Sequence, residues 1–129
     1  MKKIFQFLSI MSLSLLASSC YKDVLPEPPA LAAVSYKKDV QNLFNKNCVG
    51  CHKGAANTDP NLTIGNSYTS LTALTDEGEV FVVPNNASQS ILFRVLKGDG
   101  FAQMPPNGAL SQSKIKMIEK WINDGALNN

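Results

Sequence analysis

Cys48-Val49-Gly50-Cys51-His52 places two thiols and an imidazole within five residues, and this C-x-x-C-H spacing is the one by which a polypeptide binds a c-type haem covalently. The chemistry demands such closeness. Each thiol has to reach one vinyl group of the same porphyrin to form a thioether, and the imidazole beside the second thiol has to reach the iron from one face. About one helical turn brings all three groups together. On this reading Cys48 and Cys51 hold the ring and His52 is the proximal iron ligand.

Residue arithmetic narrows the competing readings. The chain has three Cys and one His, and the pentapeptide contains two of those Cys and the sole His. A structural zinc site takes four Cys or His ligands, and only Cys20 is left to join. A thioredoxin-like redox pair needs a βαβ setting, whereas no strand-helix alternation surrounds Cys48 and Cys51. A short structural disulfide next to an incidental His stays open as the alternative.

The N-terminus assigns a compartment. Met1-Lys2-Lys3 is a positive leader and Ile4 to Leu16 an apolar stretch broken by Gln6 and serines, too short and too polar for a membrane-spanning helix and suited to a secretory signal. Leu16-Ala17-Ser18-Ser19-Cys20 resembles the lipobox of bacterial lipoproteins, in which the cysteine becomes the acylated first residue. It departs from the pattern in having Ala17 three before the cysteine, with Leu16 one place early. Residues 1–19 are thus expected to be removed and Cys20 to be lipidated, the alternative being an ordinary signal peptide that leaves a free thiol. The product would be anchored to a bacterial membrane on its periplasmic or cell-surface side. Export agrees with the resemblance of the pentapeptide to bacterial c-type haem sites, which implies attachment outside the cytoplasm. An oxidising compartment also lets Cys48 and Cys51 close a disulfide, so they must stay reduced until haem arrives.

The precursor carries twelve Lys and Arg against ten Asp and Glu, and losing Lys2 and Lys3 leaves ten of each. Two haem propionates would tip that balance to acidic. Only Lys37-Lys38 remains as a basic pair, so nucleic acid is not an expected partner. Residues 20–34 form a tether after the lipidated Cys20, with Pro26, Pro28 and Pro29 favouring extended chain. Fully extended, its roughly 14 residues at about 3.1 Å each would reach about 43 Å. Residues 35–129 make one small domain whose own apolar core would be thin. A buried haem would complete that core, and the haem-free domain is expected to be partly unfolded.

Helical patterning dominates this domain. Ser35 can cap a helix over Tyr36 to Lys46 that has Tyr36, Val40, Leu43 and Phe44 on one face and runs into Cys48. A second helix is expected from Gln89 to Lys97, capped by Ser88 and stopped by Gly98. The third runs from Gln112 to Asp124, capped by Ser111 and stopped by Gly125, with Ile115, Ile118 and Ile122 as its stripe and Trp121 alongside. A short helical turn fits Ser67 to Leu74, and Glu79 to Val83 reads as extended.

A haem iron with one imidazole has a second face to fill. No second His exists, and Met1 and Met11 leave with the signal. Met117 lies on the last helix, where packing explains it. Met104 lies in the Gly98 to Gly108 loop, ahead of Pro105 and Pro106, which push it out of helical backbone and stiffen the chain. A thioether on so stiff a loop meets a metal at low entropy cost, so Met104 is read as the distal ligand. Its alternative reading is a gap-filling hydrophobe. Arg94 and Lys97 are either solvated charges or partners of a haem propionate.

Cys48-Val49-Gly50-Cys51-His52, Met104-Pro105-Pro106 and Trp121-Ile122-Asn123-Asp124-Gly125-Ala126 together resemble the single-haem cytochrome c superfamily. Val83-Pro84-Asn85 followed by Ser90-Ile91-Leu92 is similar to the planctomycete-type domains within it. The resemblance spans Val40 to Ala126. It implies an all-α, cytochrome c-like fold of about three to four helices around one covalent haem c, with the first and last helices packed across each other and Phe44 and Trp121 as matching aromatics. Val40 stands where many members have glycine, which implies a looser or differently angled crossing. The implied activity is one-electron transfer with redox partner proteins, not catalysis. A gas or redox sensor, or an accessory docking module with a labile sixth ligand, is the alternative.

Overall fold

The computed structural model describes residues 33–54 and 59–129, which belong to one compact unit, Ala32–Asn129. The signal, Cys20 and most of the tether lie outside the described residues. Helix α1 opens as a π-helical turn, Tyr36–Val40, and continues as an α-helix over Gln41–Asn47. Ser35 begins it from extended backbone. The Ser35 hydroxyl accepts from the Lys38 N–H at 3.3 Å, while the Asp39 carboxylate accepts from the Ser35 N–H at 2.9 Å. The two bonds satisfy N–H groups that a helix start otherwise leaves open. The expected face is the buried one: Tyr36, Val40, Leu43 and Phe44 all lie in the core.

Helix α2 is Ser67–Thr72, and Leu71 is its core residue. The extended segment that follows makes one isolated antiparallel bridge, Leu74 with Val80, and no strand forms among the described residues. Helix α3 is Ile91–Lys97, preceded by a 3₁₀ turn, Ala87–Gln89. The expected start at Gln89 under a Ser88 cap is therefore corrected. Asn86 is the cap, its side-chain oxygen accepting from the Gln89 N–H at 3.2 Å, and the Ser88 hydroxyl donates to that same oxygen. Ser90 then breaks the turn in extended backbone, its buried hydroxyl accepting from the Val83 N–H and donating to the Asn86 carbonyl. Gly98 ends α3 at φ +69, a left-handed value that glycine adopts without a Cβ penalty.

Helix α4 is Gln112–Asn123. Ser111 precedes it in extended backbone but makes no cap bond, because its hydroxyl pairs with that of Ser113 at 3.0 Å. Ile115, Ile118, Trp121 and Ile122 are buried along one stripe. Burying side chains of this size stabilises by about 1.5–3 kcal/mol each. Helix α4 packs on α3, on the 3₁₀ turn and on the π turn of α1. At the last contact Tyr36 lies against Trp121, ring centroids 5.2 Å apart, while Tyr68 meets Tyr36 edge-on at 5.2 Å. Val40, the residue in glycine's place, is fully buried at the end of the π turn. The two C-terminal motifs also meet: the Asn85 N–H donates to the Ile122 carbonyl at 2.8 Å, and the Ala87 N–H to the Asn123 side chain at 3.0 Å. The molecule is helical with four helices and no strands among the described residues, as the all-α expectation required. None of these helices is long and apolar enough to cross a membrane.

Candidate haem-binding site

The pentapeptide begins where α1 stops. The Cys48 and Val49 N–H groups still donate to the Phe44 carbonyl, at 2.8 and 3.0 Å. The chain then folds on itself, with the Cys51 and His52 N–H groups both donating to the Cys48 carbonyl, at 3.1 and 2.9 Å. Both thiols and the imidazole are thus gathered on one tight turn that the helix end holds in place. Cys48 is half-buried and Cys51 exposed, and both are free thiols. Burial pushes the Cys48 thiol up to about 11, with the Lys114 ammonium pulling it the other way. At neutral pH Cys48 accordingly presents little thiolate, the form that attacks a disulfide partner.

His52 is engaged by a returning segment. Its Nδ1 lies 3.2 Å from the Pro60 carbonyl oxygen, and the Leu62 N–H donates to the His52 carbonyl at 2.9 Å. A carbonyl can only accept, so Nδ1 carries the proton in this bond. An orienting bond of this kind is what a metal-bound imidazole requires.

Met104 reaches the site from α3 and its loop. The Asp99 N–H donates to the Arg94 carbonyl at 2.9 Å and the Met104 N–H to the Val95 carbonyl at 2.8 Å, so the loop closes back on the last turn of α3. Arg94 completes the closure, its guanidinium lying 4.7 Å from the centroid of the Phe101 ring. Lys97 lies 5.3 Å over Phe93. Both cations are therefore engaged with aromatic rings.

These elements enclose one cavity of about 310 Å³. Its walls include Cys48, Cys51 and His52 from the turn, Pro60 and Leu62 from the returning segment, Ile91, Leu92, Val95 and Leu96 from α3, and Phe81. Met104, Pro105 and Pro106 complete it. Met117, the other methionine of the domain, packs against the hydrophobic core and is not part of this wall. The residues singled out by spacing are thus brought together, Cys20 apart, which lies outside the described residues. Sequence reasoning missed Pro60, Leu62 and Phe81. Pro60 acts through its backbone carbonyl, a group every residue has, so its type carried no signal.

The donor set fits a haem c. Two thiols, an imidazole and a thioether border a space whose other walls are mostly aliphatic, aromatic and proline side chains, with Asn47, Asp59 and Asn107 as the polar ones, the kind of enclosure a largely apolar ring takes. Among the described residues, no three of His, Cys, Asp and Glu gather as a metal cluster.

Comparison with known proteins agrees with this geometry. Neither the curated proteins nor the solved structures give a match to the chain. A family model does: that of cytochrome c oxidase, cbb3-type, subunit III matches residues 37–122, from the first turn of α1 to the last turn of α4. The match covers most of the chain and every element that borders the cavity, so the protein belongs to this cytochrome c family, as a haem c electron-transfer protein and not a catalyst by itself.

Proposed function

We propose that the protein is an exported, lipid-anchored cytochrome c with a single haem, His52 and Met104 being the axial ligands, and that it passes single electrons between redox partner proteins. The observation that carries the ligand assignment is the shared cavity: His52 and Met104 both line it, whereas Met117 is in the core packing. When bound, haem c supplies an iron that changes oxidation state by one electron. The chain's own contributions are separable. Cys48 and Cys51 would anchor the ring covalently, and the Pro60 carbonyl keeps the proton of His52 on Nδ1. The α3 side chains and Phe81, which line the cavity, would keep water from the ring. Met104, whose N–H is tied to Val95, would offer a thioether that favours ferrous iron and raises the potential.

The anchor rests on the lipobox-like run ending at Cys20, and the periplasmic or cell-surface location on the signal before it. The even charge balance of the mature chain gives no reason to expect nucleic acid as a partner. A closer kinship with planctomycete-type domains is supported by Val83-Pro84-Asn85 and the Trp121 to Ala126 segment, which meet through the Asn85 N–H and the Ile122 carbonyl.

Met104→Ala and Met117→Ala, compared as purified holo-proteins, test the assignment. The ferric wild type should be low-spin with a weak far-red sulfur-to-iron charge-transfer band, and the ferrous form should bind carbon monoxide poorly. Met104→Ala should lose the band, gain carbon monoxide binding and fall in potential, and Met117→Ala should do none of these. Loss of the band in Met117→Ala instead would move the ligand to α4. A wild type that binds carbon monoxide readily and lacks the band would replace the carrier with a sensor.

A further inference from the structure

We propose that Gln41 is a positioning residue for the axial imidazole: from the middle of α1 it holds the returning segment whose Pro60 carbonyl orients His52. The inference rests on His52 being the iron ligand and adds how its ring is held. Gln41 is only 7% exposed, yet it lies on a helix whose other inward residues are apolar. Its carboxamide is fully used. Nε2 donates to the Leu62 carbonyl at 3.0 Å and to the Asn45 side-chain oxygen at 2.9 Å. Oε1 accepts from the Ser67 hydroxyl, which in turn accepts from the Tyr36 hydroxyl at 2.6 Å.

The direction of this chain is forced. The Leu62 carbonyl can only accept, so Gln41 has to turn its NH₂ there and its oxygen toward Ser67. Ser67 then has to donate to Gln41, which leaves its lone pairs for Tyr36. Each member specifies the next, and no buried side-chain polar atom among the described residues is left without a partner. Satisfied buried networks of this kind specify one arrangement, because every alternative strands a polar group in the interior.

What the chain fixes is the 60–62 segment. Pro60 has no N–H with which to anchor itself, so the direction of its carbonyl depends on the two residues after it. Both are tied to other elements. The Asn61 N–H donates to the Ser70 hydroxyl of α2 at 2.8 Å. Leu62 is held at its carbonyl by Gln41 and at its N–H by the His52 carbonyl. Helices α1 and α2 therefore set, through Gln41 and Ser70, the angle at which a carbonyl meets Nδ1 of His52. That bond governs ring orientation and ligand basicity. Loosening it lowers the electron donation that favours ferric iron, so the potential should rise.

The test uses a feature of the sequence: His52 is the sole histidine, so ¹⁵N-histidine labelling gives one ring to observe. In ferrous holo-protein, hydrogen exchange of the His52 Nδ1–H reports how well the Pro60 carbonyl holds it. Gln41→Met, similar in length but without the amide, should exchange at least about tenfold faster, the factor that corresponds to about 1.4 kcal/mol, and show a raised potential. Ser70→Ala should act in the same direction, with Ser70→Thr restoring the wild-type values, and this pair decides the matter if Gln41→Met does not fold. Ser90→Ala is the control, since Ser90 is also buried but its bonds go to Val83 and Asn86. It should lower stability and leave both readouts alone. An exchange rate within twofold of wild type and an unchanged potential in Gln41→Met and Ser70→Ala would overturn the inference, as would equal changes in Ser90→Ala. Absence of a hyperfine shift on the labelled ring of the ferric wild type would instead refute His52 as ligand, and the positioning role with it.

Discussion

Replacing Arg94 with Ala should loosen the loop that carries Met104 by a factor the structure bounds. The backbone closures of that loop, from Asp99 to the Arg94 carbonyl and from Met104 to the Val95 carbonyl, survive the substitution because they need no side chain. The guanidinium stacked 4.7 Å from the Phe101 ring is what is lost. Phe101 is 39% exposed, and a cation over an exposed ring contributes about 0.5–1 kcal/mol. The fraction of molecules with the loop open should then rise about two- to fivefold. If Met104 is the distal ligand, imidazole added to the ferric protein has to displace it, so its apparent affinity scales with that open fraction and should rise by the same factor. Gly100→Ala should act more strongly. Its φ of +74 is a left-handed value that costs a residue with a Cβ about 1–2 kcal/mol, and the new Cβ would lie 2.8 Å from an Arg94 guanidinium nitrogen, pushing the stack apart. Adding Arg94→Ala to Phe101→Ala should change nothing further, whereas Lys97→Ala, whose ring partner Phe93 is in the core, should leave imidazole affinity unchanged. Wild-type affinity in Arg94→Ala, or additive effects in the double variant, would show that the stack does not hold Met104.

Covalent attachment predicts that denatured holo-protein keeps its haem on a gel stained for peroxidase activity and that the Cys48→Ser, Cys51→Ser double variant loses it. Stain persisting in the variant would exclude thioethers from these two residues. If Cys20 is acylated, native protein should partition into detergent and take up labelled fatty acid, and Cys20→Ser should abolish both; a soluble, unlabelled wild type would show an ordinary signal peptide. Tyr36 should make stability depend on alkaline pH, because burial raises its phenol above the ordinary value, outweighing the hydrogen bond with Ser67. The native state then holds this proton more tightly than the unfolded chain, so the contribution is complete below about pH 10 and is lost as pH rises through the native value. Urea unfolding from pH 7 to 11 should show that loss, with a flatter alkaline decline in Tyr36→Phe; an unchanged slope would place the titration elsewhere.

The amino-acid sequence by itself determined the chemistry of the site and the faces of its helices. Cys48, Cys51 and His52 need only local spacing to share one turn, and a stripe such as Ile115, Ile118, Ile122 has only one side to bury. The place of Met104 on the cavity wall was legible because the glycines and prolines around it act on the backbone directly. Helix starts were less so. Ser88, Ser90 and Ser111 are all acceptable caps by type, but a hydroxyl bonds to whichever partner the fold brings nearest, and for these three that partner was Asn86, Val83 with Asn86, and Ser113. Only the tertiary structure decided what holds His52 and the Met104 loop in place. The Pro60 carbonyl, the Gln41 amide on the Leu62 carbonyl and the Phe101 ring under Arg94 are chosen by chain closures between separate elements. Residue type says that a group can bond; position in three dimensions says with whom, because hydrogen bonds and ring contacts act over a few ångströms of space and not along the chain.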